Sequence, residues 1–69
     1  MAALIECVPN FSEGRDIDIV NRIVDSARGI EGCSVLSAEP DADYNRTVVT
    51  LAGEPGAVSE GAYRIIKSS

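Results

Sequence analysis

CSVLSAEPDADYNRTVVTL, residues 33–51, decides the fold of this 69-residue chain. Two β-prone runs, over 33–38 and 46–52, flank the acidic connector Glu39-Pro40-Asp41-Ala42-Asp43-Tyr44-Asn45. The second run carries Thr47, Val48, Val49 and Thr50, β-branched side chains that suit a pleated, half-buried surface. Because the connector is short, the two strands should pair as an antiparallel hairpin.

Upstream of the hairpin the apolar period changes. Ile19, Ile23 and Ala27, with Val20 and Val24 beside them, form one helical stripe, which predicts a helix over 15–28. Asp16 and Asp18 fall in its first turn and Arg28 in its last, as the helix dipole favours. Gly29 follows as a residue free to take positive φ. Before that helix, Ala2 to Val8 reads as a buried strand ended by Pro9. Asn10-Phe11-Ser12-Glu13-Gly14 then supplies turn chemistry and two candidate helix caps, Asn10 and Ser12. Downstream, Gly53-Glu54-Pro55-Gly56 ends the hairpin, with Pro55 suited to a first helical turn. Val58, Ala62, Ile65 and Ile66 mark a second amphipathic helix over 55–67.

The order is β-α-β-β-α, an α+β pattern that fits a ferredoxin-like split β-α-β with its last strand missing. Both helices should cover one face of an antiparallel or mixed sheet. Ser68-Ser69 reads as a truncation, which would leave an open edge on the first strand where the absent strand belongs. Residues 1–69 would then be the opening part of a larger subdomain.

Composition narrows the function. A chain this short buries only about 60% of its unfolded surface, enough for one small domain or part of one. Net charge is −5 and the pI about 4.4, which argues against the basic footprint that nucleic-acid binding needs. The N-terminus shows no basic n-region and no long apolar run, so neither signal peptide nor membrane span is expected. A cytoplasmic location is the default. Cys7 and Cys33 lie in apolar stretches, where a free cysteine packs as a small hydrophobe, and nothing points to secretion or a disulfide. With two cysteines and no histidine, a four-ligand zinc site of the usual type is excluded and no metal is expected.

Two places carry residues suited to ligand chemistry. At the exit of the first strand, Asn10, Ser12, Glu13 and Gly14 form a polar loop opening into a helix, a common place to hold an anionic group on backbone N–H donors. The bland alternative is that Asn10 and Ser12 only turn the chain and cap the helix. In the hairpin, Asp43 can orient a ligand N–H, with Asn45 beside it, and Arg46 can take a carboxylate bidentately. The bland alternative there is a solvated tip with weak surface ion pairs.

At these residues the chain resembles the glutamate formiminotransferase family, which includes the N-terminal domain of formiminotransferase-cyclodeaminase. Cys7-Val8-Pro9-Asn10-Phe11-Ser12-Glu13-Gly14 is similar to that family's opening, and Asn45-Arg46-Thr47-Val48 with Gly53-Glu54-Pro55 to its second landmark. The likeness continues through Val58, Glu60, Gly61 and Ala62. It implies folate one-carbon chemistry: a formimino group moves between N5 of tetrahydrofolate and the amine of glutamate, a step of histidine degradation. The tetrahydrofolate derivative is a substrate, and some relatives also act on its 5-formyl form. The folate site lies between two α/β subdomains, of which this chain matches the start of the first. The resemblance therefore implies three partners: folate, glutamate and the rest of the formiminotransferase domain. A homo-oligomer is a further possibility.

Carried onto this sequence, Asn10 and Ser12-Glu13-Gly14 correspond to the first site-lining loop. Asp43, Asn45 and Arg46 fall in the second landmark, with Asn10 a hydrogen-bonding residue and Arg46 an electrostatic or structural clamp. Tyr44 stands where the family often places a histidine. The transfer needs a proton shuttle of near-neutral pKa, which histidine supplies. The family's catalytic histidine lies beyond the region matched, so no catalytic residue is expected in this segment. Two function classes stay open: a segment of a folate-dependent transferase, inactive alone, or a non-catalytic α+β binding and assembly module.

Overall fold

A computed structural model describes residues 4–68. In chain order the elements are β1 (Ile5–Cys7), β2 (Asn10–Phe11), α1 (Ile17–Asp25), β3 (Cys33–Asp41), β4 (Arg46–Gly53) and α2 (Pro55–Ser68). The β3–β4 hairpin forms as expected, in antiparallel register from Cys33 opposite Gly53 to Asp41 opposite Arg46. Strands β1 and β2 occupy the other edge of β4, also antiparallel, from Ile5 opposite Gly53 to Phe11 opposite Thr47. Strand β4 therefore lies between the strands that flank α1. That is the order of a split β-α-β, and the class is α+β.

Alternation along β4 positions the core. Thr47, Val49 and Leu51 are buried on one face, while Val48, Thr50 and Ala52 between them stay partly exposed on the other. Against the buried face pack Val20, Ile23, Val24 and Ala27 of the first helical region and Val58 and Ile65 of α2, with Phe11 at one end. Both helices thus cover the same face of the sheet, as the order of elements predicts. Burying each such Val, Leu or Ile contributes about 1.5–3 kcal/mol against its exposed state.

The structure also revises several expectations. Of the first predicted strand, residues 2 and 3 lie outside the described residues. The ladder stops at Cys7, and Val8 is no longer part of it. Pro9 lacks an N–H and interrupts the ladder, yet its carbonyl still accepts from Val49 N–H at 3.0 Å. Pairing then resumes at Asn10 and Phe11, residues expected in a turn.

Strand β3 runs through Pro40 to Asp41, beyond the predicted end at Ala38. Proline is tolerated there because β3 borders the sheet among the described residues. Helix α1 begins at Ile17 because Asp16 is its N-cap, displacing Asn10 and Ser12 from that role. It ends at Asp25, and Gly29 takes φ +85° in the turn that follows. The buried stripes are rotated slightly. Ile19 is partly exposed, and Ile66 is 63% exposed, while Gly61 takes a buried place in α2. A Cβ at Gly61 would stand 3.0 Å from Cys33 Sγ, so the missing side chain lets α2 approach the sheet closely.

Candidate functional site

The strand exit at Asn10 and the start of β4 at Arg46 lie at the same end of the sheet, because Phe11 pairs with Thr47. The loop between β2 and α1 is first organised locally. Glu13 Oε2 accepts from the N–H groups of Arg15 and Asp16, both at 3.4 Å. Asp16 Oδ1 accepts from Asp18 and Ile19 N–H at 3.1 and 3.3 Å, satisfying donors that a helix start leaves unpaired.

The loop is then tied across the fold. Gly14 N–H donates to Asn45 Oδ1 at 3.1 Å, across 31 residues of sequence. The Thr47 hydroxyl donates to the Glu13 carbonyl. Arg15 Nε donates to the Ala42 carbonyl at 2.9 Å. Gly14 is buried, and a Cβ there would lie 2.5 Å from the carbonyl oxygens of Asp41 and Arg46. Only glycine fits that seam. Asn45 holds φ +50°, a left-handed conformation that asparagine tolerates better than most residues. At the tip, Asp41 Oδ1 accepts from Asp43 and Tyr44 N–H at 3.0 and 3.4 Å, closing an Asx turn.

The candidate residues consequently separate into groups. Asn10, Ser12 and Glu13 line a cavity of about 460 Å³, walled by Ile19 and Ile23 of α1 and Ile66 of α2. Asn10 is exposed at its rim, with Nδ2 donating to the Val8 carbonyl at 3.3 Å. Gly14 packs behind this loop, and Asn45 holds it from the hairpin. Asp43 belongs to a separate depression of about 340 Å³ that it shares with Glu39 and Asp41. Arg46 is exposed, its guanidinium 5.9 Å from the centre of the Tyr44 ring, and has no ion pair among the described residues.

Sequence reasoning missed Thr47 and Arg15. Thr47 had a readable signal: it is the polar member of the buried set Thr47, Val49 and Leu51, and a buried hydroxyl implies a specific partner. Arg15 had none, since it is exposed in a loop and no buried pattern marks it. Cys33 sits at the far end of the hairpin from this loop, and burial pushes its thiol pKa up. Among the described residues no group of three or more His, Cys, Asp or Glu side chains is placed to hold a metal ion.

The sequence pattern of the formiminotransferase domain, N-terminal subdomain, matches residues 4–69, a stretch that contains both the loop and the hairpin. The chain belongs to that family. It is 39% identical over 67 residues to a glutamate formimidoyltransferase of Streptococcus pyogenes, covering 97% of this chain and 22% of that protein. It is 45% identical over 67 residues to a formimidoyltransferase-cyclodeaminase of Dictyostelium discoideum, covering 97% of this chain and 12% of the relative. A glutamate formimidoyltransferase of Thermoplasma acidophilum is 42% identical, with 97% of this chain and 22% of that protein covered. The chain thus spans less than a quarter of the length of each of these relatives. Its own described residues hold the loop, the seam and the hairpin together as one end of the sheet.

Proposed function

We propose that this chain supplies a substrate-positioning part of a transferase that moves a formimino group between 5-formiminotetrahydrofolate and L-glutamate, in histidine degradation. The observation that carries this reading is the docking of the family's opening loop on its second landmark, beside a cavity that Asn10, Ser12 and Glu13 line. In this reading Asn10 and Ser12 offer hydrogen bonds to substrate from the rim. Arg46, unpaired and exposed among the described residues, offers a bidentate fork for a substrate carboxylate. Asp43 offers an acceptor for a ligand N–H. Folate and glutamate are small-molecule partners, the rest of the formiminotransferase domain is the structural one, and the protein works in the cytoplasm.

The chemistry divides accordingly. The attacking glutamate ammonium loses a proton, its nitrogen adds to the formimino carbon, and the tetrahedral adduct expels N5 of folate once that nitrogen is protonated. A base near neutral pKa must carry those protons. The chain contains no histidine, and an ordinary carboxylate, with a pKa of about 4, is a weak base at pH 7. The segment therefore positions and does not shuttle protons. The same lack of histidine favours a second reading, a non-catalytic binding or assembly module.

Transfer assays separate the two. The isolated 69-residue chain should be silent, and the natural polypeptide carrying it should form 5-formiminotetrahydrofolate from formiminoglutamate and tetrahydrofolate. Asn10→Ala in that polypeptide should lower kcat/KM by about tenfold or more, the loss expected of one hydrogen bond to a charged or desolvated group. It should leave the melting temperature nearly unchanged. A folded polypeptide that neither binds tetrahydrofolate nor transfers the group favours the module.

A further inference from the structure

We propose that Asn45 is a positioning residue for the substrate loop: it acts through Gly14 and does not touch substrate. This rests on the functional reading above for its kinetic consequence, and on geometry alone for the contact. Asn45 lines neither the cavity at Asn10 nor the depression at Asp43. Its side-chain oxygen instead accepts the N–H of Gly14, which is buried and has no other acceptor recorded among the described residues. The left-handed backbone at Asn45, φ +50°, is where the chain leaves the hairpin turn for β4.

The contact does not stand alone. Glu13, the residue before Gly14, is held through its carbonyl by the Thr47 hydroxyl, and Arg15, the residue after it, by Nε on the Ala42 carbonyl. Three consecutive loop residues are thus fastened to the hairpin, and the backbone of Asp41 and Arg46 closes on Gly14 so tightly that a methyl group would not fit. Ser12 and Glu13, the two members of the loop that line the cavity, hang directly from this seam. A shift of the seam moves them together. Displacing positioning groups by about 1 Å can lower a rate by about a hundredfold, even when the altered residue is remote from the chemistry.

Two substitutions at one position separate holding from touching. Asn45→Asp keeps a side-chain oxygen able to accept the Gly14 N–H and a residue type that tolerates the left-handed backbone. Asn45→Gly keeps the backbone freedom and removes the acceptor. In the natural polypeptide, Asn45→Gly should raise the KM for the folate substrate by about tenfold, within the range that misplacement allows. Asn45→Asp should restore KM to within about threefold of wild type, the spread of an ordinary context effect on a hydrogen bond. With glycine selectively 15N-labelled, the Gly14 amide proton should move upfield in Asn45→Gly and stay hydrogen-bonded in Asn45→Asp.

Equal KM losses in both variants would mean that the carboxamide N–H₂ meets substrate directly, which overturns the proposal. An unmoved Gly14 amide in Asn45→Gly overturns it as well. A wild-type polypeptide with no transfer activity overturns the functional reading instead, and the Gly14 amide in the two variants then decides the seam by itself.

Discussion

At the mouth of the β3–β4 turn, where it opens into β4, Asn45 and Thr47 commit their side-chain oxygens to backbone groups 31 and 34 residues upstream. At the tip of the same hairpin, Asp43 and Tyr44 are exposed, Tyr44 to 76%, and their N–H groups are held locally by their neighbour Asp41. The two regions share one short polar stretch, and nothing in residue type tells them apart. What separates them is the loop at Glu13 and Gly14, which covers Asn45 and Thr47 and leaves Asp43 and Tyr44 exposed. Polar side chains at the mouth hold the loop in place, and those at the tip stay in solvent.

Substitutions at the two regions should therefore differ in kind. Gly14→Val should have the largest effect, a destabilisation of about 3 kcal/mol, because the new side chain meets backbone that cannot swing aside. Urea titration reads it, and a wild-type midpoint would dissolve the distinction between mouth and tip. Thr47→Val keeps the shape but leaves the Glu13 carbonyl without its donor. It should cost about 1–2 kcal/mol by the same titration, and a stabilising outcome would show that the hydroxyl is not needed.

Asp41→Ala removes one acceptor from an exposed turn and should cost about 0.5–1 kcal/mol. A larger loss would mean that the tip is as tightly built as the mouth. Tyr44→Ala should change stability by less than about 0.5 kcal/mol, since it removes only an exposed ring near the Arg46 guanidinium. A drop in melting temperature comparable to that of Thr47→Val would contradict the comparison from the other side.

Much of this arrangement is legible in the sequence, and its gaps have physical causes. The β-branched run at Thr47 to Thr50 and the apolar stripes at Ile23 and Val58 carry strong local periodicity, so the hairpin and both helices could be read directly. Strand β2 could not, because two residues pairing beyond a proline make no periodic signal. Asp16 was legible as an acidic residue near a helix start, but which of several caps operates depends on where the loop is pinned. Asn10, Ser12 and Glu13 were read as one loop and do share one cavity. Asn45 was read beside Asp43 and Arg46, and its actual partner, Gly14, is distant in sequence and near only once the sheet has formed.

Native-state amide exchange tests the contrast between mouth and tip most directly. Gly14 N–H and Asp43 N–H both donate to a side-chain oxygen, at 3.1 and 3.0 Å, so bond length does not distinguish them. A docked loop predicts that Gly14 exchanges only when the sheet opens, at least about a hundredfold more slowly than Asp43 after correction for intrinsic rates. Comparable corrected rates at the two amides would contradict it, because the loop would then be as loosely held as the solvent-exposed tip.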